Sequence, residues 1–503
     1  MLHDAVVRYG GLGSRSSYSS SDTQMIWVQG STPGTLEICD CVMDYAYDKA
    51  IYVDGTQAPN IHDNTIRNSA WGVYLATSGL PAIQNNTFTD VSTPVCLGGA
   101  DATFTGNQYT GSGNKMVGVG GTLVSNTVWE DLGVPYLVAS DLTVPAGKTL
   151  TINAGVVVKF QAVNPGDGYN NGIELNVYGT LNLQGTAGQK VVFTSSRDDT
   201  YGGDSNGDGA GSSPEAGNWG AIHYYNPANV LHDAVVRYGG LGSRSSYSSS
   251  DTQMIWVQGS TGNGHLIVKR CLLQYAYQTG VYVQPTGPNL TEIVWGNTFD
   301  YCPVGIKYDG GTSASVSGQI NGNLFEHCST AIMVDRVNTS LAVHYNRFNT
   351  VSTYGVQSTD PTKTVDARQN WWGSATGPGP VGPGSGAPVS AYVDYSNWWT
   401  SDSQSPQPQG VWNVLAQRRG DSRLVDIYYD IAGDSGTSYQ VNIAVSTTGG
   451  EPYTIRPSTR SLSGAVGTGI LPEFGHHILW DANADGFSGY TDKMRIKVTA
   501  DLE

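Results

Sequence analysis

The run Asp204-Ser-Asn206-Gly-Asp208-Gly209 is the clearest chemical signal in this sequence. Side-chain oxygens at alternate positions converge on a hard cation, and Gly209 permits the sharp turn that such a loop needs. Counting Asp204 as the first position, Glu215 falls at the twelfth, where a bidentate carboxylate would complete the shell, and Asp198 and Asp199 stand just upstream. The spacing predicts a calcium loop drawing on Asp198, Asp199, Asp204, Asn206, Asp208 and Glu215; a solvated Asp/Gly loop is the alternative. A helix–loop–helix hand is not expected, because no flanking helices are evident and Pro214 precedes Glu215. Asp481-Ala-Asn483-Ala-Asp485-Gly486 repeats the first half of the pattern, with Asp492 at the twelfth position. A strand-end turn is expected there, with calcium as the second reading.

Catalysis would need different groupings. Glycoside hydrolysis requires two carboxyls roughly 5–9 Å apart, and Asp300, Glu326 and Asp335, on successive repeats, are the carboxylates that would serve. A lyase needs a basic residue near a calcium-bound uronate; Arg237, Lys269, Arg270 and Lys307 are available. Gly433-Asp-Ser-Gly436 and Arg495-Ile-Lys497 match short strings of hydrolases but lack every accompanying residue, and both are expected to be structural. Tyr45, Tyr47 and Tyr52 are matched by Tyr275, Tyr277 and Tyr282, with Trp71 and Trp295 further along; outward rings of this kind stack on sugar faces, inward ones fill a core. The six cysteines show no metal-type CxxC pair. Cys39 and Cys41 are expected to share one face of a strand. Buried thiols are the first reading, disulfides between stacked coils the second.

The elements that must position these residues follow from repetition. Leu2–Thr32 and Leu231–Thr261 are identical over 31 residues, which marks a duplication. Inside each module a finer repeat starts on asparagine: Asn64, Asn86, Asn297, Asn323 and Asn346 open segments spaced by about 22 to 26 residues. Apolar residues recur two positions after each Asn and again at nine or ten. Short apolar alternations at this period, with Gly and Asn corners, predict a β-solenoid. Stacked coils bury like on like, and Asn suits a corner because it tolerates left-handed backbone and can bond to its copy one coil away. Cys302 and Cys328 fall where Val91 and Val351 sit, which places them in an inward stack. Roughly 16 coils rising ~4.8 Å each would extend about 75–80 Å.

Leu142–Phe160 and Gly179–Thr194 alternate apolar and polar residues between Ala-Gly turns. With Gly217-Asn-Trp-Gly220, Val236-Arg-Tyr-Gly-Gly240 and Asn370-Trp-Trp-Gly373, residues 1–395 resemble the right-handed parallel β-helix repeats of secreted bacterial surface proteins. The resemblance implies architecture and an extracellular or cell-surface location, not an activity. The Trp371–Trp372 pair is expected to close one end of the helix. From Val411 the alternating runs Leu424–Asp430, Tyr439–Val445 and Met494–Thr499 predict a β-sandwich that resembles a fibronectin-like module. The expected organisation is therefore a partial β-helix module (1–133), a complete one with a Trp-rich cap (134–395), a linker (396–410) and a sandwich (411–503).

Composition agrees with an all-β reading and narrows the partners. Glycine is abundant (65 residues) and only 14% of residues are charged, a profile for short strands and tight corners rather than helices. A net charge of −16 argues against nucleic acid or anionic lipid, which demand a basic face, and no stretch is long and apolar enough for membrane insertion. Met1-Leu2-His3-Asp4 lacks the basic and apolar regions of a signal peptide. An export signal is thus expected outside this sequence, as a piece of a longer repetitive protein. The functional expectation is a non-catalytic extracellular β-helix that is structural or binds polysaccharide or cell-surface glycan and is stabilised by calcium. A polysaccharide lyase or glycoside hydrolase, and a filament or surface-layer subunit associating through an exposed helix end, are the alternatives.

Overall fold

The computed structural model describes residues 1–11, 23–30, 36–98, 101–111, 115–164, 172–241, 252–258, 265–284, 290–309, 315–335, 338–402, 410–419, 422–432, 437–472, 476–487 and 493–503. Among these, every regular element is a strand. The chain divides into two compact units, Met1–Ser401 and Asp402–Glu503.

The first unit is a parallel β-helix. A single coil shows how alternation builds it: Glu37–Cys39, Val42–Asp44 and Lys49–Gly55 form three faces, and Asn60–His62 begins the next coil. Inward residues stack in register, as in Ile38–Ile61–Ile83 on one face and Met43–Ile66–Phe88 on the next. Later coils repeat the device with Leu273–Phe299–Phe325–Phe348. Each of these side chains is fully or almost fully buried, so no coil is stable alone and the stack supplies the core. Trp372 ends the aromatic run, 4.8 Å from Phe348 and fully buried.

The Asn ladder forms as the repeat predicts, with one correction. Asn297, Asn323, Asn346 and Asn370 each donate from Nδ2 to a main-chain carbonyl on another coil (Val268, Val294, Ile320 and Val343, at 2.7–2.9 Å). The first three also donate to Oδ1 of the next Asn in the series. The left-handed residue, however, is the one before each Asn: Asp63, Asn85, Gly296, Gly322, Tyr345 and Gln369 all have positive φ. The corner bends one position early, which leaves the Asn side chain pointing inward along the stack.

The same corner overturns the expectation for Cys39 and Cys41. Asp40, at φ 53°, separates them, so Cys41 joins the apolar core while Cys39 sits on the outward row. All six cysteines are free thiols, and burial pushes the thiols of Cys271 and Cys302 up to about 12.

The two halves of the helix meet at an offset. A five-stranded sheet ends at Thr103–Thr105, and a ten-stranded sheet starts at Thr127–Trp129. Val117–Thr122 bridges them: Val117–Val119 lies beside Tyr136–Val138, whereas Gly121 and Thr122 lie beside Leu142 and Thr143 after a register shift.

The second unit contains two antiparallel sheets, ordered Gly410–Arg418, Leu424–Ala432, His476–Asp481, Leu462–Gly464 and Gly467–Ile470, Tyr439–Ser446, Arg495–Leu502. They share one core that includes Ile427, Tyr429, Val441, Val445, Ile478 and Trp480.

Candidate functional site

The chain from Ser196 to Ala221 leaves the strand Val191–Ser195 and returns at Ile222–Tyr224, so it forms a long excursion over one face of the helix. Close approach holds it down. At Gly202 (φ 70°) a Cβ would come within 2.4 Å of Pro135, and at Gly217 (φ 85°) within 2.8 Å of the Tyr277 ring. Trp219 plugs the return into the core, stacked 4.1 Å from Phe160, with Nε1 donating to the Arg237 carbonyl at 2.8 Å.

The predicted cation ligands divide. Oxygens of Asp199, Asp204 and Asp208 come within 4.8 Å of one another. Asp204 organises the turn, because its carboxylate accepts from the backbone N–H groups of Gly207, Asp208 and Gly209. Asn206 donates to Asp208 at 2.9 Å, and its own Oδ1 is buried without a protein partner. Asp198 turns inward instead, accepting from Thr194 Oγ1 at 2.5 Å and facing Arg237 at 3.7 Å. Glu215 is not among the converging carboxylates. Beneath the loop lies a residue that the sequence reading missed: Lys159, fully buried, donates from Nζ to the Gly203 carbonyl at 2.8 Å. Burial lowers the pKa of its ammonium, while Asp198, Asp199 and Asp204 oppose that shift. A lysine inside the apolar run Val156–Phe160 was the available signal. Desolvation, followed by repulsion from Asp204, raises the Asp199 carboxyl above its ordinary value.

The second loop is satisfied internally. Asp485 accepts from Trp480 Nε1, Ser461 Oγ and the Ser458 N–H, Asp481 accepts from the N–H groups of Asn483 and Ala484, and the Arg423 guanidinium donates to Asn483. Asp492 lies outside the described residues, as does Gly433–Gly436. Despite a desolvation penalty, hydrogen bonds from Ser458, Ser461 and Trp480 hold Asp485 down at about 2. Its contribution is therefore present above the ordinary carboxyl value and lost as pH falls toward 2. Asp485→Ala is expected to destabilise this unit by about 1–3 kcal/mol at neutral pH, with a smaller deficit near pH 2. Chemical denaturation at both pH values measures it, and a pH-independent deficit contradicts the account.

The carboxylates weighed for catalysis do not converge as a trio. Asp300 and Glu326 are register neighbours, but Asp300 accepts from Gln274 Nε2 at 3.0 Å and lies 2.9 Å from His327 Nδ1. Asp335 belongs to another face, beside Asp309, and accepts from Thr359. The basic residues are held as well. Arg237 is surrounded by the rings of Tyr201, Tyr238 and Tyr275, Lys269 packs over Trp295, Arg270 pairs with buried Asp233, and Lys307 lies between Tyr282 and Asp309.

Several exposed rings use their faces on one another. Tyr9 stacks on Tyr45 at 5.1 Å, and Tyr238, Tyr275, Tyr301 and His327 form a continuous pile at 4.3–5.2 Å. Tyr52 packs beside Trp27 and Tyr74, whose other neighbour is Trp71, and Trp295 is buried, whereas Tyr47 is exposed. Tyr282 differs. It borders a groove of ≈ 290 Å³ with Thr252, Gln278, Pro303, Lys307 and Met333. A larger cleft of ≈ 690 Å³ lies in the second unit, where Lys497 is paired with Glu451 at 3.0 Å.

This arrangement defines an all-β protein whose first unit is a parallel β-helix carrying side loops. Residues 49–183 match the family model of the right-handed β-helix region. No curated protein and no solved structure matches the chain.

Proposed function

We propose that this is a non-catalytic extracellular β-helix protein that binds polysaccharide or cell-surface glycan, with calcium fixing the Ser196–Ala221 excursion. The observation that carries the glycan reading is the groove beside Gln278, Thr252 and Lys307, whose amide, hydroxyl and ammonium line a floor formed by the buried Tyr282 ring and Met333. Sugar recognition needs that mixture of apolar face and polar edge. The non-catalytic reading is supported by the engagement of Asp300, Arg237 and Arg270 in protein contacts. A fibronectin-like role for the second unit rests on its four- and three-stranded antiparallel sheets. A glycan array with product analysis tests the function: binding without product release is expected, and the surface change Gln278→Ala should weaken it. Release of reducing ends or unsaturated sugar would overturn the reading in favour of a hydrolase or lyase.

Calcium is supported by the three converging carboxylates and the ordered turn at Asp204. At a calcium concentration ~100-fold above Kd, the native state should gain about 2.7 kcal/mol. Asp208→Asn and Asp204→Ala are each expected to remove that gain. Calorimetry and melting curves check it, and an unchanged melting temperature in saturating calcium rejects it.

A further inference from the structure

Outside the groove and the acidic loop, a third cluster is assembled by ladder register. On the outward row of the five-stranded sheet, His3 lies beside Cys39 and Cys39 beside His62. Glu37 precedes Cys39 by two positions and shares its face. The Cys39 thiol, a Glu37 carboxylate oxygen and a ring nitrogen of His62 lie within 4.8 Å of one another. His62 Nε2 is 2.9 Å from Glu37 Oε1, and its Nδ1 is 2.7 Å from Asp63 Oδ2.

Asp63 occupies the left-handed corner at φ 55°, which brings its carboxylate back onto the ring of the preceding residue. The corner makes the same contact at His3–Asp4 and His232–Asp233, at 2.7 and 2.8 Å. Here it fixes Nδ1 as the side that faces Asp63 and leaves Nε2 facing Glu37.

We infer that Glu37, Cys39 and His62 form a binding site for a borderline-soft divalent transition metal such as zinc, with Asp63 orienting the imidazole. Thiolate, imidazole and carboxylate together are a zinc-type donor set and a poor one for calcium or magnesium. An outer carboxylate on the ligating histidine is the usual support for such a centre. Three protein ligands leave one position open. The His62 and Glu37 side chains, 19% and 37% exposed, give an ion a way in.

The duplicated module supplies an independent observation. At the equivalent ladder positions it carries Ile267, Lys269 and Trp295, and the Lys269 ammonium packs 5.5 Å from the Trp295 ring. All three donors are replaced together there, and a fixed positive charge stands where the cation would be. In the metal-free protein, hydrogen bonds from the His62 ring to Asp63 and Glu37 raise the His62 pKa. Burial, then the Asp40 carboxylate, pushes the Cys39 thiol up to about 11. A metal would displace these protons, so affinity should rise with pH.

The test titrates the reduced full-length chain with cobalt(II), reading thiolate-to-cobalt charge-transfer absorption, and then competes with zinc. One cobalt per chain and displacement by zinc are expected. Cys39→Ser should abolish the band, His62→Gln should weaken binding at least tenfold, and Asp63→Asn should weaken it roughly 10–100-fold. Glu37→Gln, at a partly exposed position, should weaken binding while keeping the band. Asp204→Ala should change nothing, which separates this centre from the calcium loop. No band at saturating cobalt overturns the inference. So does a band that survives Cys39→Ser, or an affinity unchanged in both Glu37→Gln and His62→Gln.

Discussion

Asn346→Ala is expected to destabilise the β-helix unit by about 1–3 kcal/mol, because it strands the buried backbone N–H of Asn323, while Asn323 Nδ2 keeps the Val294 carbonyl. Asn346 is fully buried, and its Oδ1 accepts from both the backbone N–H and the Nδ2 of Asn323, at 2.9 and 3.0 Å. Its Nδ2 donates to the carbonyls of Ile320 and His344 and to Asn370. Alanine removes all five contacts where water has no access. Asn346→Asp separates the two halves of the effect: the carboxyl keeps the acceptor for Asn323 but brings negative charge against the Ile320 carbonyl. Burial raises such a carboxyl above its unfolded value of ~3.9. Its stability is therefore greatest below that value and falls as pH rises through the higher folded one. Denaturation of both variants at neutral and acid pH should show the Asp variant recovering relative to the Ala variant. Parallel losses at both pH values would mean that the ladder is not the source.

Trp219→Ala is expected to cost about 3–5 kcal/mol, the usual penalty for emptying a buried aromatic site, and also to weaken calcium binding. The indole is fully buried against Phe160, and a Cβ on Gly239 would lie only 2.7 Å from it. The site therefore has no slack to collapse without moving backbone. Because Trp219 sits where the acidic excursion rejoins the helix, its loss frees one end of the loop that presents Asp204 and Asp208. Trp219→Phe keeps a ring against Phe160 but loses the bond to the Arg237 carbonyl and part of the buried volume, so an intermediate deficit of about 1–3 kcal/mol is expected. Melting curves with and without calcium distinguish packing from anchoring. Equal losses for the two variants would put the effect in the hydrogen bond.

Periodicity made the β-helix legible in the sequence. Phe88, Phe299, Phe325 and Phe348 each follow an Asn by two positions, and that interval fixes which residue faces inward at every coil. Corners were harder. The left-handed residue before each Asn is variously Asp, Asn, Gly, Tyr or Gln, so its type gave little warning, and Cys39 and Cys41 were assigned to one face across a bend. The acidic loop was partly readable because Asp204, Asn206 and Asp208 are local. Asp198 was not, since its partners Thr194 and Arg237 meet it only after coils stack. The Glu37–Cys39–His62 cluster is less visible still: strand register, not sequence distance, joins its members, and no local motif encodes register between coils.

The exact repeat of Leu2–Thr32 at Leu231–Thr261 also creates a kinetic competition. Natively, Ala234–Val236 stacks on Val191–Phe193, closing a loop of 39 residues from Ser195 to Ala234 (234 − 195). The first copy carries the same strand, Val6–Arg8, and would reach that coil by closing 183 residues (191 − 8). A ratio of 4.7 in loop length amounts to about 1.4 kcal/mol of closure entropy. The docking strand cannot tell the two arrangements apart. Discrimination falls to residues beyond the repeat, such as Asn297 bonding back to Val268, so the correct topology is decided only when the following coil has closed.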